Sequence, residues 1–174
     1  GMNAPEKAIV LTKADPNNPN QIANMEYPAV AARAMAAAGS ADAGHELFRT
    51  QSCTSCHTFA NGQQPRGPHL VDIGRRYSKA ELVESIVLPA RKIAQGFGTW
   101  LFVTSDGRTH VGFVVLESAE TITIRRTDGT SEELLQDDID ERIKQDTSMM
   151  PNGVVGNLTP EQLADLIAWL QSLR

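Results

Sequence analysis

The chain of 174 residues contains only two cysteines, and they lie three positions apart, at 53 and 56. Aromatic residues make up just 5% of the sequence. No apolar run approaches the roughly 20 residues of a membrane-spanning helix. The formal net charge is −5, which argues against a partner such as nucleic acid or an anionic membrane surface. The hydrophobic content of 41% is sufficient for one domain, or for one domain with an extension.

The two cysteines belong to the pattern Cys53-Thr54-Ser55-Cys56-His57, which is the attachment signature of c-type haem. On a turn of helix, residues i and i+3 lie on one face, so both thiols can reach the vinyl groups of one porphyrin. His57 falls on the same face and can offer an imidazole nitrogen to the iron. We therefore predict one haem c, covalently bound through Cys53 and Cys56, with His57 as an iron ligand.

A zinc site and a redox dithiol are the other interpretations of a CxxC pair. A zinc site usually takes four ligands, and the sequence has no second cysteine pair. A thioredoxin-like dithiol needs a βαβ context, which the sequence around residue 53 does not predict. Haem attachment is therefore the favoured interpretation.

Residues 1–39 are predicted to be an N-terminal extension or linker that precedes the main domain at 40–174. Gly1-Met2 resembles a tag remnant, and residues 29–38 are rich in alanine without an amphipathic pattern. Arg33 and the polar segment before it argue against a signal peptide here. Because haem is normally attached outside the cytoplasm, we expect a periplasmic or otherwise exported protein whose export signal or upstream region has been removed.

Periodicity and turn residues predict helices on both sides of a small antiparallel sheet. Predicted helices at about 41–51, 79–88 and 160–170 follow the capping residues Ser40, Ser78 and Thr159. Two Asp-Gly turns join strands predicted at 99–104, 110–116, 121–126 and 131–135. The sheet is thus predicted to lie inside a largely helical protein.

Met150 is the predicted second iron ligand. Haem iron in an electron carrier usually takes two axial ligands, and Met149 and Met150 lie in a polar loop that Pro151 restricts. Methionine is most often core filler. We expect Met150, directly before the proline, to be the ligand and Met149 to pack nearby.

His69 is the rival ligand, but it lies close in sequence to the attachment site, whereas the second ligand must approach the opposite face of the porphyrin. For His69, and also for His45 and His110, a surface or supporting role is predicted. Gly67-Pro68 has two interpretations. A carbonyl of this loop can accept the free ring N–H of His57 and fix its tautomer, or the pair can be a simple turn.

Together these residues resemble a monohaem class I cytochrome c. In that fold the first and last helices cross at a glycine and pack aromatic side chains, positions that correspond here to Gly44, Phe48 and Trp169. Residues 41–174 are also similar to the haem-binding domain family of planctomycete and verrucomicrobial type. That similarity is carried by the phrases Ile73-Gly74-Arg75-Arg76-Tyr77-Ser78, Leu82-Val83-Glu84-Ser85-Ile86 and Ser148-Met149-Met150-Pro151.

The resemblance implies a mainly α, class I cytochrome c fold with an inserted small antiparallel sheet at about 96–140. It also implies His/Met ligation and redox protein partners or a fused dehydrogenase-like domain. The predicted cofactor-binding residues are Cys53, Cys56, His57, Pro68, Leu70 and Met150, with His57 and Met150 on the iron. Four residues separate Phe48 from Cys53, one more than is usual, which predicts a bulge or distortion in the helix before the motif.

The predicted function is that of a single-electron carrier, not of an enzyme. The alternative is a haem-based sensor or gas-binding module, which needs an open or readily vacated iron position. A peroxidase is disfavoured because the chain has one CxxCH motif and no evident distal acid–base group. The predicted sheet either docks a redox partner or covers one side of the haem pocket, and the sequence favours neither.

Overall fold

The computed structural model describes residues 9–63 and 66–174. Gly1-Met2 and the start of the predicted extension lie outside these residues, as do positions 64 and 65. The chain divides into two compact units. The helical unit comprises Leu11–Arg91 and Asn152–Arg174, and the sheet unit comprises Lys92–Pro151 with residues 9–10.

Three helices of the helical unit begin with the capping side chains that the sequence predicts. The Ser40 side chain accepts a hydrogen bond from the Ala43 backbone N–H, and Ser78 and Thr159 each form a capping box. The elements are α1 (Tyr27–Ala36), α2 (Ala41–Thr50), α3 (Ile73–Arg76), α4 (Lys79–Val87) and α5 (Pro160–Ser172), with 3₁₀ turns at Ile22–Asn24 and Cys53–Ser55.

Helix α2 crosses α5 at Gly44, and this confirms the predicted glycine crossing. A Cβ atom on Gly44 would lie 2.0 Å from the Asp165 carbonyl oxygen, so only glycine permits this approach. Beside the crossing, the rings of Phe48 and Trp169 lie 4.5 Å apart. The buried face of α5 forms the centre of the helical core and consists of Leu163, Ala164, Leu166, Ile167, Trp169 and Leu170.

Helix α1 lies in the segment that the sequence predicts to be an extension. Its Val30 and Ala34 side chains are fully buried, and the Arg33 guanidinium donates two hydrogen bonds of 2.9 Å to the Glu161 carboxylate of α5. Part of that segment is therefore packed into the helical unit. The domain boundary at 39/40 stays a prediction.

The sheet unit contains five antiparallel strands in the order β4-β3-β2-β1-β5. They are β1 (Thr99–Thr104), β2 (Thr109–Glu117), β3 (Thr121–Arg125), β4 (Ser131–Leu135) and β5 (Ile139–Gln145). The first four confirm the predicted strands. One face of the sheet forms its own core, in which Phe102, Ile122, Ile124 and Leu134 are buried.

The prediction of a mainly α, class I cytochrome c fold with a small inserted sheet is wrong. Of the residues that the structure describes, 34% are helical and 20% lie in strands, and the strands form a five-stranded antiparallel sheet. The physical reason is that the sheet is large enough to bury a separate hydrophobic core, and its fifth strand, β5, extends beyond the predicted insertion. Strand β5 pairs with β1 along its length and places the Arg142 guanidinium 4.5 Å from the Trp100 ring.

Within the described parts of the chain, every helix falls short of the length and apolar character needed to cross a membrane.

Candidate haem-attachment site

The CxxCH motif begins just after α2, where the backbone changes direction. The Gln51 N–H closes the helix on the Leu47 carbonyl at 2.8 Å. Ser52 then adopts a left-handed conformation with a φ of 61°, which is uncommon for a residue other than glycine. This is the distortion that the extra residue between Phe48 and Cys53 predicts. The α-helix therefore does not continue unbroken into the motif.

The motif itself is a tight turn built on the Cys53 carbonyl. The backbone N–H groups of Cys56 and His57 both point to this oxygen, at 3.2 and 2.9 Å. The turn is of the 3₁₀ type over Cys53–Ser55. Two cysteines and a histidine are thus held on one closed loop of backbone, as attachment of both thiols and the imidazole to a single haem requires.

The segment Gly67 to Leu70 lies directly against this turn. Gly67 is buried, and a Cβ atom there would lie 2.6 Å from the Cys56 carbonyl oxygen. Three residues later, the Leu70 N–H donates to the Thr58 carbonyl at 2.8 Å. The loop is therefore fixed to the backbone on both sides of His57.

The His57 ring is oriented by the same loop. Its Nδ1 lies 2.8 Å from the Pro68 carbonyl oxygen, and because a carbonyl only accepts, Nδ1 carries the proton. This is the hydrogen bond that one interpretation of Gly67-Pro68 predicts. The proton on Nδ1 leaves Nε2 with the lone pair that an iron ligand needs.

The pKa of His57 also favours the neutral imidazole. Burial lowers the pKa, and the hydrogen bond to the Pro68 carbonyl raises it by less, so the net shift is downward. The imidazole is therefore neutral near pH 7, which is the form that binds a metal. The site fits a haem iron on the side of His57.

The cysteine environment argues against a redox dithiol. Cys53 and Cys56 are half-buried, and burial raises the pKa of the Cys53 thiol to about 12. Reactive dithiols depend instead on a lowered thiol pKa. As for zinc, no group of three or more His, Cys, Asp or Glu side chains in residues 9–63 and 66–174 could hold a metal ion.

An aromatic cluster supports the chain on both sides of the motif. Phe59 meets Phe48 edge-on at 5.6 Å and Trp169 at 5.1 Å. His45 stacks on Trp169 at 5.0 Å and is itself exposed, which agrees with its predicted surface role. Phe59 is not among the residues predicted from the sequence. The sequence signal that could have identified it is an aromatic residue two positions after His57, in the segment that follows the motif.

The other two histidines are engaged in local contacts. The Nδ1 atom of His69 lies 2.5 Å from the Thr58 hydroxyl. His110 is buried in the sheet unit, with Nδ1 3.0 Å from the Glu132 carboxylate and Nε2 3.3 Å from the Thr104 hydroxyl. Both arrangements agree with supporting roles.

Met149 and Met150 differ in exposure. Met149 is 7% exposed, whereas Met150 is half-buried. The Met150 N–H donates to the Ser148 hydroxyl at 3.1 Å, which forms a local turn ahead of Pro151. Both methionines belong to the sheet unit. Ligation by Met150 stays a prediction.

The CxxCH motif and the oriented ring of His57 give the helical unit the residues that covalent attachment of haem c requires. Residues 41–108 match the model of the cytochrome c family. This stretch includes α2, the CxxCH motif, the loop that holds His57, α3, α4 and β1, and it is less than half of the chain. A comparison with curated proteins found no match.

The family match supports a cytochrome c haem-binding domain with haem-based electron transfer as its general role. It implies haem c, bound covalently through two cysteines, and Cys53 and Cys56 are the two that this chain provides. Members of the family are generally electron carriers. Domains of this kind are usually exported or periplasmic.

Proposed function

We propose that this protein is a single-electron carrier whose one haem c is attached through Cys53 and Cys56 and ligated by His57 and Met150. The observation that carries the proposal is the His57 ring, which the Pro68 carbonyl holds by Nδ1 so that Nε2 is available. When bound, the haem supplies an iron that changes reversibly between the ferric and ferrous states. The chain supplies the ligands and a low-polarity environment.

The choice of Met150 is supported by the difference between the two methionines. Met149 is almost fully buried, as a packing residue would be, whereas Met150 retains exposed surface. His69, the rival, has Nδ1 on the hydroxyl of Thr58, the residue directly after His57, so it lies beside the attachment loop, whereas the second ligand must approach the opposite face of the porphyrin. A thioether opposite an imidazole raises the reduction potential relative to two imidazoles, which suits a carrier that accepts electrons from another redox protein.

The proposal extends to the residues that line the haem, the family similarity and the cellular location. Pro68 and Leu70 line the haem on the His57 side, since both lie on the loop that is fixed to the motif. The similarity to the haem-binding domain family of planctomycete and verrucomicrobial type rests on the connecting phrases of the sequence. An exported or periplasmic location and a separate or fused redox partner complete the proposal.

Single substitutions of the two methionines test the ligand assignment. In the holoprotein, Met150→Ala removes the thioether, so we expect loss of the weak ferric absorption band of the methionine–iron bond and a lower reduction potential. Met149→Ala is the matched control, because it removes the same side chain one residue earlier. We expect it to cost stability, by about 2–5 kcal/mol for a buried methionine, while the ferric band remains.

Carbon monoxide distinguishes a carrier from a gas-binding module. A closed His/Met site gives no spectral change when the ferrous holoprotein is mixed with carbon monoxide without denaturant. Rapid binding to the unmodified protein would contradict the carrier proposal. Loss of the ferric band in Met149→Ala but not in Met150→Ala would move the ligand to Met149.

A further inference from the structure

The outer face of the sheet, opposite the buried core, carries an exposed apolar row. Leu101 of β1 pairs with Val111 of β2 on one side and with Ile143 of β5 on the other. Residues directly opposite in a sheet point to the same face, so the three side chains are neighbours. Val111 is 43% exposed and Ile143 is 42% exposed. Their neighbour Phe102 points to the other face and is fully buried.

The row is bordered by unpaired negative charge. Glu141 of β5 pairs with Val103 of β1. Because Glu141 is two residues before Ile143 in the same strand, its side chain lies on the same face of the sheet as the apolar row. Glu141 belongs to an acidic cluster that spans the 3₁₀ turn before β5 and the first residues of that strand, formed by Asp137, Asp138, Asp140 and Glu141. Within residues 9–63 and 66–174, none of these four carboxylates forms an ion pair.

The acidity of the whole chain arises in this unit. Residues 92–151 contain eleven acidic and six basic side chains, whereas the helical unit contains nine of each. The net charge of −5 is therefore concentrated in the unit that presents the exposed apolar row. An anionic membrane, a nucleic acid and a second copy of the same face all carry charge of the wrong sign for it.

We propose that the outer sheet face, defined by Leu101, Val111, Ile143 and Glu141, binds a partner protein that presents an apolar centre surrounded by lysine and arginine. The apolar row supplies the surface that is removed from water. The acidic cluster attracts the basic border and fixes the orientation. The proposal does not depend on the haem, because none of these residues belongs to the attachment site.

Synthetic peptides test this chemistry on the full isotope-labelled chain by nuclear magnetic resonance titration. The probe is a peptide of alternating lysine and valine. We expect it to shift the backbone signals of Leu101, Val111, Ile143 and residues 137–141, and to bind about tenfold more weakly at high salt because its charges are screened. Two control peptides replace lysine with glutamate and valine with threonine, respectively. Both should bind at least about tenfold more weakly than the probe.

Substitutions on the chain locate the binding site. Val111→Thr combined with Ile143→Thr keeps the β-branched shape that strands favour but removes apolar surface. We expect this pair to weaken probe binding about tenfold. Leu116→Thr is the matched control, because Leu116 is 65% exposed and lies on β2 outside the row. It should bind the probe like the unmodified chain.

Three results would overturn the proposal. The first is equal binding of all three peptides. The second is equal weakening by Leu116→Thr and by the paired substitution. The third is line broadening at Val111 and Ile143 that rises with protein concentration without any peptide, since this would make the face a self-association surface.

Discussion

At the scale of single residues, the orientation of the His57 ring depends on a backbone carbonyl and on a nearby glycine. The Pro68 carbonyl orients the ring through Nδ1 at 2.8 Å. This is feasible only because Gly67 lets the loop pass within contact of the Cys56 carbonyl. The orientation of the His57 ring is thus set by backbone groups of the motif and of the loop that packs against it.

Gly67→Ala tests this dependence. The new methyl group would lie 2.6 Å from the Cys56 carbonyl oxygen, and because the neighbour is backbone, the loop itself must move. We expect a loss of about 1–3 kcal/mol in the free energy of unfolding, as for other overpacked sites. Because the Pro68 hydrogen bond weakens, the reduction potential should change as well. Chemical denaturation and potentiometry measure the two effects.

Gly98→Ala is the control for Gly67→Ala. A Cβ atom there would approach only the end of the Lys144 side chain, at 3.7 Å, which is an ordinary contact. We expect unchanged potential and a change in stability within about 0.5 kcal/mol. If Gly67→Ala behaved in the same way, the close packing of this loop would not matter to the site.

At the scale of elements, the crossing of α2 and α5 holds the motif in place. Gly44 of α2 lies against the Asp165 carbonyl, and the rings of Phe48, Phe59 and Trp169 fill the space beside the crossing. The motif begins three residues after α2 ends. The position of Cys53 is therefore tied to the packing of this helix pair.

Gly44→Ala is expected to destabilise the protein by about 3 kcal/mol, although alanine has the higher helix propensity. The reason is that the methyl group would lie 2.0 Å from a backbone oxygen, so the helices must separate. The opposite exchange, Ala43→Gly on the exposed side of α2, should cost only about 1 kcal/mol. Thermal or chemical unfolding measures the loss of stability in each variant. An equal loss in Gly44→Ala and Ala43→Gly would contradict close packing at the crossing.

The β1–β2 turn should give the sheet a pH-dependent stability at acid pH. Hydrogen bonds from the Thr104 hydroxyl and from the backbone and side chain of Arg108 lower the pKa of Asp106 from 3.8 to about 2. A lowered folded-state pKa stabilises the protein above the unfolded-state value, and this contribution is lost as pH falls from about 4 to about 2. The measurement is the stability difference between the unmodified protein and Asp106→Asn. It should shrink over that range, and a constant difference would contradict the assignment.

The elements that the sequence predicted have strong local signals. Asp-Gly turns join β1 to β2 and β3 to β4, and β1 to β3 are rich in β-branched residues. Helices α2, α4 and α5 begin with capping side chains. Strand β5 has neither signal. Its two isoleucines are four residues apart, a helical spacing, and most of its other residues are charged. It is a strand because β1 offers a free edge for pairing, a tertiary effect that local reasoning does not detect.

At the scale of the whole molecule, the fold-class prediction was wrong because tertiary packing, unlike a short motif, has no local sequence signal. The attachment motif could be predicted because five adjacent residues specify its chemistry, and the family match over 41–108 agrees with it. The mainly α fold was inferred from resemblance, which did not account for a second hydrophobic core around Phe102 and Ile124. From the sequence, the carbonyl that accepts the His57 N–H could be assigned only to the Gly67-Pro68 loop. Identifying Pro68 as the acceptor requires the course of the backbone in the folded protein.

A potentiometric titration of the holoprotein, followed by visible absorption, tests the central claim most directly. We expect one fully reversible transition with the slope of a one-electron couple, about 59 mV per tenfold change in the ratio of oxidised to reduced protein. Oxidative and reductive titrations should superimpose, because the ligands of a carrier stay in place in both states. An irreversible titration, a second transition, or a ferrous spectrum that shows a vacant iron position would contradict an electron carrier with a closed His57/Met150 site.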